Sequence, residues 1–233
     1  MLRSLGDSLN PALFWEYRAT LLAGLAWNLG VFTASVVLAV ALAFGVGVAR
    51  LSRTAALRAA ATVYTEFCRN APEYVMLVWV YYVLPVVLTR LLATRFNLSP
   101  FVASVLALGI AYSGFLSETV RAGFLSVPSG HTEAALSLGM SRFAVVRRIV
   151  VPQAVRRMLP EALNQFVSLF KATTIVSLVA VPDIMYRVSM INVQEMRPLP
   201  LYTWAALLYC AIIIASTQAI GRLTDRWRQR GWA

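Results

Sequence analysis

The sequence predicts an all-α integral membrane protein with about five transmembrane helices. Two observations carry that expectation. The chain of 233 residues is 59% hydrophobic and only 13% charged, and its apolar runs exceed the ~20 residues needed to cross a hydrocarbon core of about 30 Å. The charges are also sorted: of 21 basic residues 20 are arginine, and all of these but Arg69 are assigned to one side or the other of the apolar runs, as orientation signals are.

The first span covers about 20–48. Arg3 precedes it, but no short apolar core with a small-residue cleavage site does, so no removable signal peptide is expected and this span should direct insertion. The second, about 60–92, is long and interrupted by Glu66, Arg69, Asn70 and Glu73, so it projects beyond one face or tilts. The third covers about 100–119, the fourth 160–182 and the fifth 201–221. Trp15, Tyr17, Tyr202, Trp204 and Trp227 lie near span ends, as interfacial belts do. With no repeat, low-complexity tract or flexible linker, residues 1–233 read as a single transmembrane domain.

Arginine placement sets the expected orientation. Arg50, Arg53, Arg58, Arg121, Arg142, Arg147, Arg148, Arg156, Arg157, Arg222, Arg226, Arg228 and Arg230 make 13 on one side, against six on the other: Arg3, Arg18, Arg90, Arg95, Arg187 and Arg197. The side richer in arginine is the cytoplasmic one, so the amino terminus lies outside and the carboxyl terminus inside.

Composition also excludes function classes. A net charge of +11 would suggest nucleic acid in a soluble protein, but here the arginines flank apolar spans and fit orientation and contact with membrane lipid. Cys68 and Cys210 show no ligand spacing, and the lone His131 excludes any two-histidine metal motif. The only lysine is Lys171, inside an apolar run, so a Gly-x-x-x-x-Gly-Lys phosphate loop is absent and any ATPase driving this chain is another polypeptide.

The loop between the third and fourth spans, about 128–152, is a polar, basic island that should meet a partner outside the bilayer. Thr132 and Glu133 are expected to open a short helix with an acid at its positive end, Ala134 and Ala135 keep one surface smooth, and Gly139 can take the left-handed conformation that stops it. Ser141 can cap a second helix, which Pro152 is expected to close. The result is a compact knob suited to a groove on another protein.

Inside the membrane, Asn164, Ser168, Lys171, Thr174 and Ser177 recur at steps of four, three, three and three, which places them on one helical face. Such a face lines a substrate path or a subunit interface; the alternative is that the hydroxyls bond their own backbone while Lys171 snorkels. In span two, Arg69 lies at pairing distance from both Glu66 and Glu73, and Pro72 can kink or end the helix. This is either an ion cluster that neutralises itself or a break that exposes charges and backbone to a zwitterion. For a zwitterion with a carboxylate, Arg69 could fork onto that group with Asn70 beside it, Thr173, Thr174 and Ser177 could add neutral hydrogen bonds, and Glu73 could face positive charge.

The spacing Glu133-Ala134-Ala135, Gly139, Ile149, Pro152 resembles the EAA loop of ABC importer permeases. Arg69-Asn70-Ala71-Pro72, Ala111-Tyr112, Glu118, Arg121, Gly123, Ser126-Val127-Pro128, Leu138-Gly139-Met140-Ser141, Pro152-Gln153-Ala154, Leu159-Pro160, Asn164 and Lys171 are similar to the polar amino acid group of that family, which serves histidine, glutamate, glutamine, arginine and opines. The resemblance implies an ABC type I importer-like fold in the bacterial inner membrane. It implies a periplasmic solute-binding protein that delivers a polar amino acid, and a second permease subunit, identical or related, that completes the pathway. Separate ABC ATPase subunits would hold ATP and Mg and receive the EAA loop through Glu133, Ala134, Ala135, Leu138, Gly139, Met140, Ile149 and Pro152; no cofactor is expected on this chain. Three departures bear on the ligand: Ala71 replaces the usual Thr, Glu73 replaces an apolar residue, and Ala172 follows Lys171 where Asp or Asn is common.

Two rival readings remain open. A secondary, ion-coupled carrier could use Glu66, Glu73 and Glu118 for protons, but it leaves the loop unexplained. A membrane-embedded enzyme has poor material in one loop histidine and few cytoplasmic acids.

Overall fold

A computed structural model describes residues 12–229; Arg3 and Arg230, and the side chains of Trp227 and Arg228, lie outside what it describes. The elements in chain order are α1 (Ala12–Glu16), α2 (Arg18–Ala49), α3 (Ala55–Asn70), α4 (Glu73–Val78), a π-turn (Trp79–Val83), α5 (Leu84–Leu92), α6 (Pro100–Leu125), α7 (Ser129–Ser137), α8 (Arg142–Val145), a second π-turn (Val146–Val150), α9 (Val151–Ala172), a 3₁₀ segment (Thr173–Val179), α10 (Ile184–Glu195) and α11 (Pro198–Gln229). Among the described residues, five helical runs are long and apolar enough to cross a membrane: Arg18–Ala49, Glu73–Leu92, Pro100–Leu125, Arg142–Val179 and Pro198–Arg226. The all-helical, five-span fold expected from the sequence is the fold observed.

The courses of spans two and four differ from expectation. Span two is not one helix from 60: α3 ends at Asn70, and the next run starts at Glu73 with Pro72 as its extended N-cap. The cause is local. Pro72 lacks an N–H and its ring drives Ala71 out of the helical region, to φ −73° and ψ 129°. Pro152 does not close the helix after Ser141, and Pro85 likewise sits inside a continuing run. In both cases a π-turn precedes the proline by two residues, Trp79–Val83 before Pro85 and Val146–Val150 before Pro152. Leu84 N–H then bonds the Trp79 carbonyl and Val151 N–H the Val146 carbonyl, so the wider turn gives room to the ring and skips the bond a proline cannot make. Span four therefore runs from Arg142 to Val179 rather than from 160 to 182.

Contacts sort the described residues into two compact units. The first holds the described residues up to Val36 with Pro72–Leu108 and Val167–Thr217; the second holds Val37–Ala71, Gly109–Phe166 and the described residues from Gln218. In the first unit, Leu21, Phe170, Ile184, Val188, Ile191, Leu201, Ala205 and Tyr209 form a buried apolar cluster, and the Phe32 and Phe170 rings meet edge to face at 5.6 Å. Here α2 presses on the start of α10, because Gly24 has no Cβ where one would sit 2.8 Å from the Ile184 nitrogen. In the second unit, α3 packs on α6 through Gly114, where a Cβ would come within 2.6 Å of Cys68 Cβ. Hydroxyl pairs flank that contact: Tyr64 with Ser113 at 2.6 Å and Thr65 with Ser117 at 3.0 Å. Small residues and shared hydroxyls are what close helix pairing in lipid requires.

Candidate functional site

The loop of the second unit is built as a knob. Helix α7 starts at Ser129 behind Pro128, not at Thr132 or Glu133, because the proline fixes the extended entry one turn earlier than the acid signal suggested. Glu133 thus lies in mid-helix and exposed, and the reading of it as an acid on the positive helix end is withdrawn. The other end is as expected. Gly139 has φ +79°, Gly139 N–H bonds the Leu136 carbonyl at 3.0 Å and Met140 N–H the Ala135 carbonyl at 3.1 Å, a complete Schellman stop. Ser141 then caps α8, its hydroxyl accepting from Ala144 N–H at 3.3 Å. Ala135 is buried, while Leu138 is 84% and Phe143 74% exposed. Two large apolar side chains thus stand in the open on either side of a rigid turn.

The base of the knob is tied down within the same unit. His131 Nδ1 and Gln153 Oε1 are 2.9 Å apart, linking α7 to α9 beside Pro152. The Arg157 guanidinium donates to the Ser126 carbonyl. Nearby, Glu118 is held by two arginines: Arg121 at 2.6 Å, three residues on, and Arg50 from the end of α2. An acid so paired is poorly suited to the proton-carrying role of the carrier alternative.

The intramembrane polar residues separate into groups. Arg69 pairs with Glu66 at 3.8 Å and lies 6.0 Å from the Phe115 ring centroid, while Asn70 donates to the Glu66 carbonyl at 2.7 Å. Glu73 opens α4 instead of continuing the helix of Arg69, so the expected i,i+4 pairing of the two does not apply across the break. The polar row of span four also changes character, because the α-helix ends at Ala172 and a 3₁₀ segment follows. Asn164 and Lys171 are exposed and Ser168, Thr174 and Ser177 half-buried. Thr174 donates to the Lys171 carbonyl at 2.9 Å and Ser177 to the Thr174 carbonyl at 3.2 Å, the backbone-bonding alternative. Thr173, expected with them, is fully buried, and its hydroxyl donates to the Phe170 carbonyl at 2.7 Å.

Thr173 belongs to a buried polar node that the sequence reading missed. Asn28, from α2, donates to the Thr173 carbonyl at 3.3 Å, to the Thr173 hydroxyl at 3.2 Å and to the Asp183 carboxylate at 3.2 Å. Its own carbonyl accepts from Ile184 N–H and the Tyr209 hydroxyl, each at 3.2 Å. Asp183 also caps α10, accepting from Tyr186 N–H at 2.8 Å. Burial pushes the Asp183 carboxyl up from 3.8 to about 6, against the lowering effect of these hydrogen bonds. The available signal was Asn28, an amide in an otherwise apolar run, which must be satisfied by a partner inside the protein.

An apolar cavity of about 180 Å³ in the second unit, lined by residues such as Val40, Phe44, Leu116, Met158 and Phe166, offers no charge for a zwitterion. A helical membrane body with a loop that presents a Gly-stopped apolar knob fits the membrane subunit of a transporter. Residues 21–230 match the family described as the binding-protein-dependent transport system inner membrane component, and the chain belongs to that family.

The chain is 32% identical over 214 residues to the probable glutamine ABC transporter permease protein GlnP of Bacillus subtilis, covering 91% of this chain and 95% of that one. It is 31% identical over 166 residues to the arginine ABC transporter permease protein ArtQ of Haemophilus influenzae, covering 71% and 75%. Among solved structures, a chain from the crystal structure of an amino acid ABC transporter with histidines superposes with a TM-score of 0.83 at 26% identity, over 93% of this chain and 98% of that one. A chain of the inward-facing MetNI methionine ABC transporter shares the fold, with a TM-score of 0.67 at 17% identity over 93% and 98%. The resemblance to amino acid ABC permeases is therefore borne out. This is a multi-pass inner-membrane permease component of an ABC importer, and the secondary-carrier and membrane-enzyme readings are set aside.

Proposed function

We propose that this chain carries a polar amino acid, delivered by a periplasmic solute-binding protein, across the inner membrane with a second permease subunit, identical or related. ATP and Mg reside on partner ABC ATPase subunits, and the α7–Gly139–α8 knob seats in them. The observation that carries the coupling reading is the exposure of Leu138 and Phe143 around the Schellman stop: apolar area left open on a rigid turn is a docking anchor. The arginine asymmetry, 13 against six, supports a cytoplasmic knob and carboxyl terminus and a periplasmic amino terminus.

The amino acid class is supported by relatives whose names include arginine, glutamine, octopine and L-cystine. In this reading Arg69 and Asn70 meet the carboxylate, Asn164, Ser168, Lys171, Thr174 and Ser177 line the path, and Glu73 favours a neutral or cationic ligand over an acidic one. Copurification with an ATPase lacking membrane spans, followed by ATP hydrolysis stimulated by a loaded binding protein, tests the assembly. Transport competition between arginine, glutamine and glutamate in Glu73→Gln, normalised to membrane expression, tests selectivity: unchanged discrimination removes Glu73 from it.

A further inference from the structure

We propose that Asp183 is a positioning residue for transport: through the Asn28 amide it holds Thr173–Val179 in 3₁₀ form and so aims the Lys171–Thr174–Ser177 row. In a 3₁₀ turn side chains three apart eclipse, and here Thr173, Val176 and Val179 form a buried row while Thr174 and Ser177 form a half-buried one that continues from Lys171. Seven residues is long for a 3₁₀ segment, which normally yields to the α-helix within three or four. Something must hold it.

The node supplies the hold. Asn28 grips the start of the segment at Thr173 and, with the same side chain, Asp183 and Ile184 just past its end, all at 3.2–3.3 Å. Ala180, at φ 62°, makes the sharp exit between those two anchors. Both anchors hang on one side chain, so the excursion between them must return to the same place. A 3₁₀ residue rises about 2.0 Å and an α residue about 1.5 Å, so relaxation to α-helix would shift the exit at Ala180 by about 3 Å and pull Asp183 and Ile184 off the amide. The Asn28 amide cannot flip to serve a changed partner, since its nitrogen would then face Ile184 N–H.

Release would be visible as a rotation. A 3₁₀ residue advances about 120° and an α residue about 100°, so relaxation to α-helix, counted from Thr173, turns position 174 by about 20° but position 178 by about 100°. Leu178 is exposed now and would leave its present face.

The inference rests on the reading that this row lines the pathway, and the test separates the two. In the full chain with Cys68→Ala and Cys210→Ser, single cysteines at Thr174 and Leu178 are labelled in membranes with a thiol reagent. Asp183→Asn keeps the cap through its remaining oxygen but sets donor against donor at Asn28. We expect the labelling rate at 178 to change at least about fivefold and at 174 less than about twofold. The exchange variant Asn28→Asp with Asp183→Asn restores the donor–acceptor pair between positions 28 and 183, though it sets an oxygen against the Thr173 carbonyl and can keep the Thr173 hydroxyl only by turning it from the Phe170 carbonyl, and it should return 178 to within about twofold of the parent. Unchanged labelling at 178 in Asp183→Asn, or an exchange variant that labels like the single one, overturns the proposal. So does failure of both chains to accumulate, which would make the node a folding requirement. Lys171→Met with undiminished transport, alongside altered labelling in Asp183→Asn, keeps the latch and removes its pathway role.

Discussion

Replacing Gly24 by alanine tests the closest backbone contact of the first unit. The added Cβ would lie 2.8 Å from the Ile184 nitrogen and 2.9 Å from Ile184 Cα and the Asp183 carbonyl carbon, where ordinary contact begins at 3.4 Å. These are backbone atoms, so no rotamer change relieves the clash and α2 must retreat by roughly 0.6 Å. The Ile184 N–H to Asn28 bond, now 3.2 Å, would then pass the hydrogen-bonding limit. Overpacking of this kind costs about 1–3 kcal/mol and a lost buried bond about 1 kcal/mol. Gly→Ala in a helix returns about 1 kcal/mol, leaving a net loss of roughly 1–3 kcal/mol. For a chain of this size that is a fall of roughly 2–12 °C in Tm. Thermal unfolding in detergent can be followed by reaction of a thiol fluorophore with Cys68, which is buried, once the exposed Cys210 is changed to Ser. Gly45→Ala on the same helix, with nothing within 4 Å of its new Cβ, is the control. Equal melting of the two variants would falsify the contact argument.

Gly139→Val strains a φ of +79° by about 1–2 kcal/mol without meeting any neighbour, so the chain should insert normally while binding-protein-stimulated ATP hydrolysis falls at least tenfold; wild-type coupling would remove the loop from that role. Labelling of a cysteine at residue 137 in intact cells by an impermeant reagent should fail, and success would reverse the proposed topology. Glu118→Gln leaves the Arg50 side chain, 9% exposed, without its carboxylate, and should destabilise the chain by about 3 kcal/mol; a melt unchanged from the parent would show that water replaces the pair. The Asp183 carboxyl has a folded value of about 6 against 3.8, so the native chain holds the proton more tightly than the unfolded one. Its contribution to stability therefore falls as pH rises from about 4 to about 6, by up to about 3 kcal/mol, and the pH slope of Tm should flatten in Asp183→Asn.

Features decided by near neighbours were legible in the sequence. Gly139 and Ser141 act through bonds that span three to five positions, and both took the roles their chemistry suggested. Apolar length alone gave the five spans, since a bilayer leaves a helix few alternatives. Pro72 ended a helix as proline should, whereas Pro85 and Pro152 did not, because each sits behind a π-turn that no local propensity announces. Glu133 was misplaced by a turn since Pro128 outranked Thr132 as the starting signal. The Asn28–Asp183 bond joins residues 155 apart; Asn28 asked for a partner, but nothing local named it. The polar row of span four was counted on one helical period, while the chain switches period at Thr173.

The two π-turns change how the chain can be edited. Each fits one more residue into its turn than an α-helix would, which sets every side chain beyond it back by about 100° from the uniform count. A wheel drawn from Arg142 through Ala172 as one uniform helix therefore assigns the wrong face to everything after Pro152. The same arithmetic makes the extra residue and its proline a linked pair. Deleting Val150 alone should wedge the Pro152 ring against the preceding turn, and Pro152→Ala alone leaves an idle bulge. Both changes together should give a straight helix with the rest of span four in its present orientation, so insertions and deletions here travel with a proline.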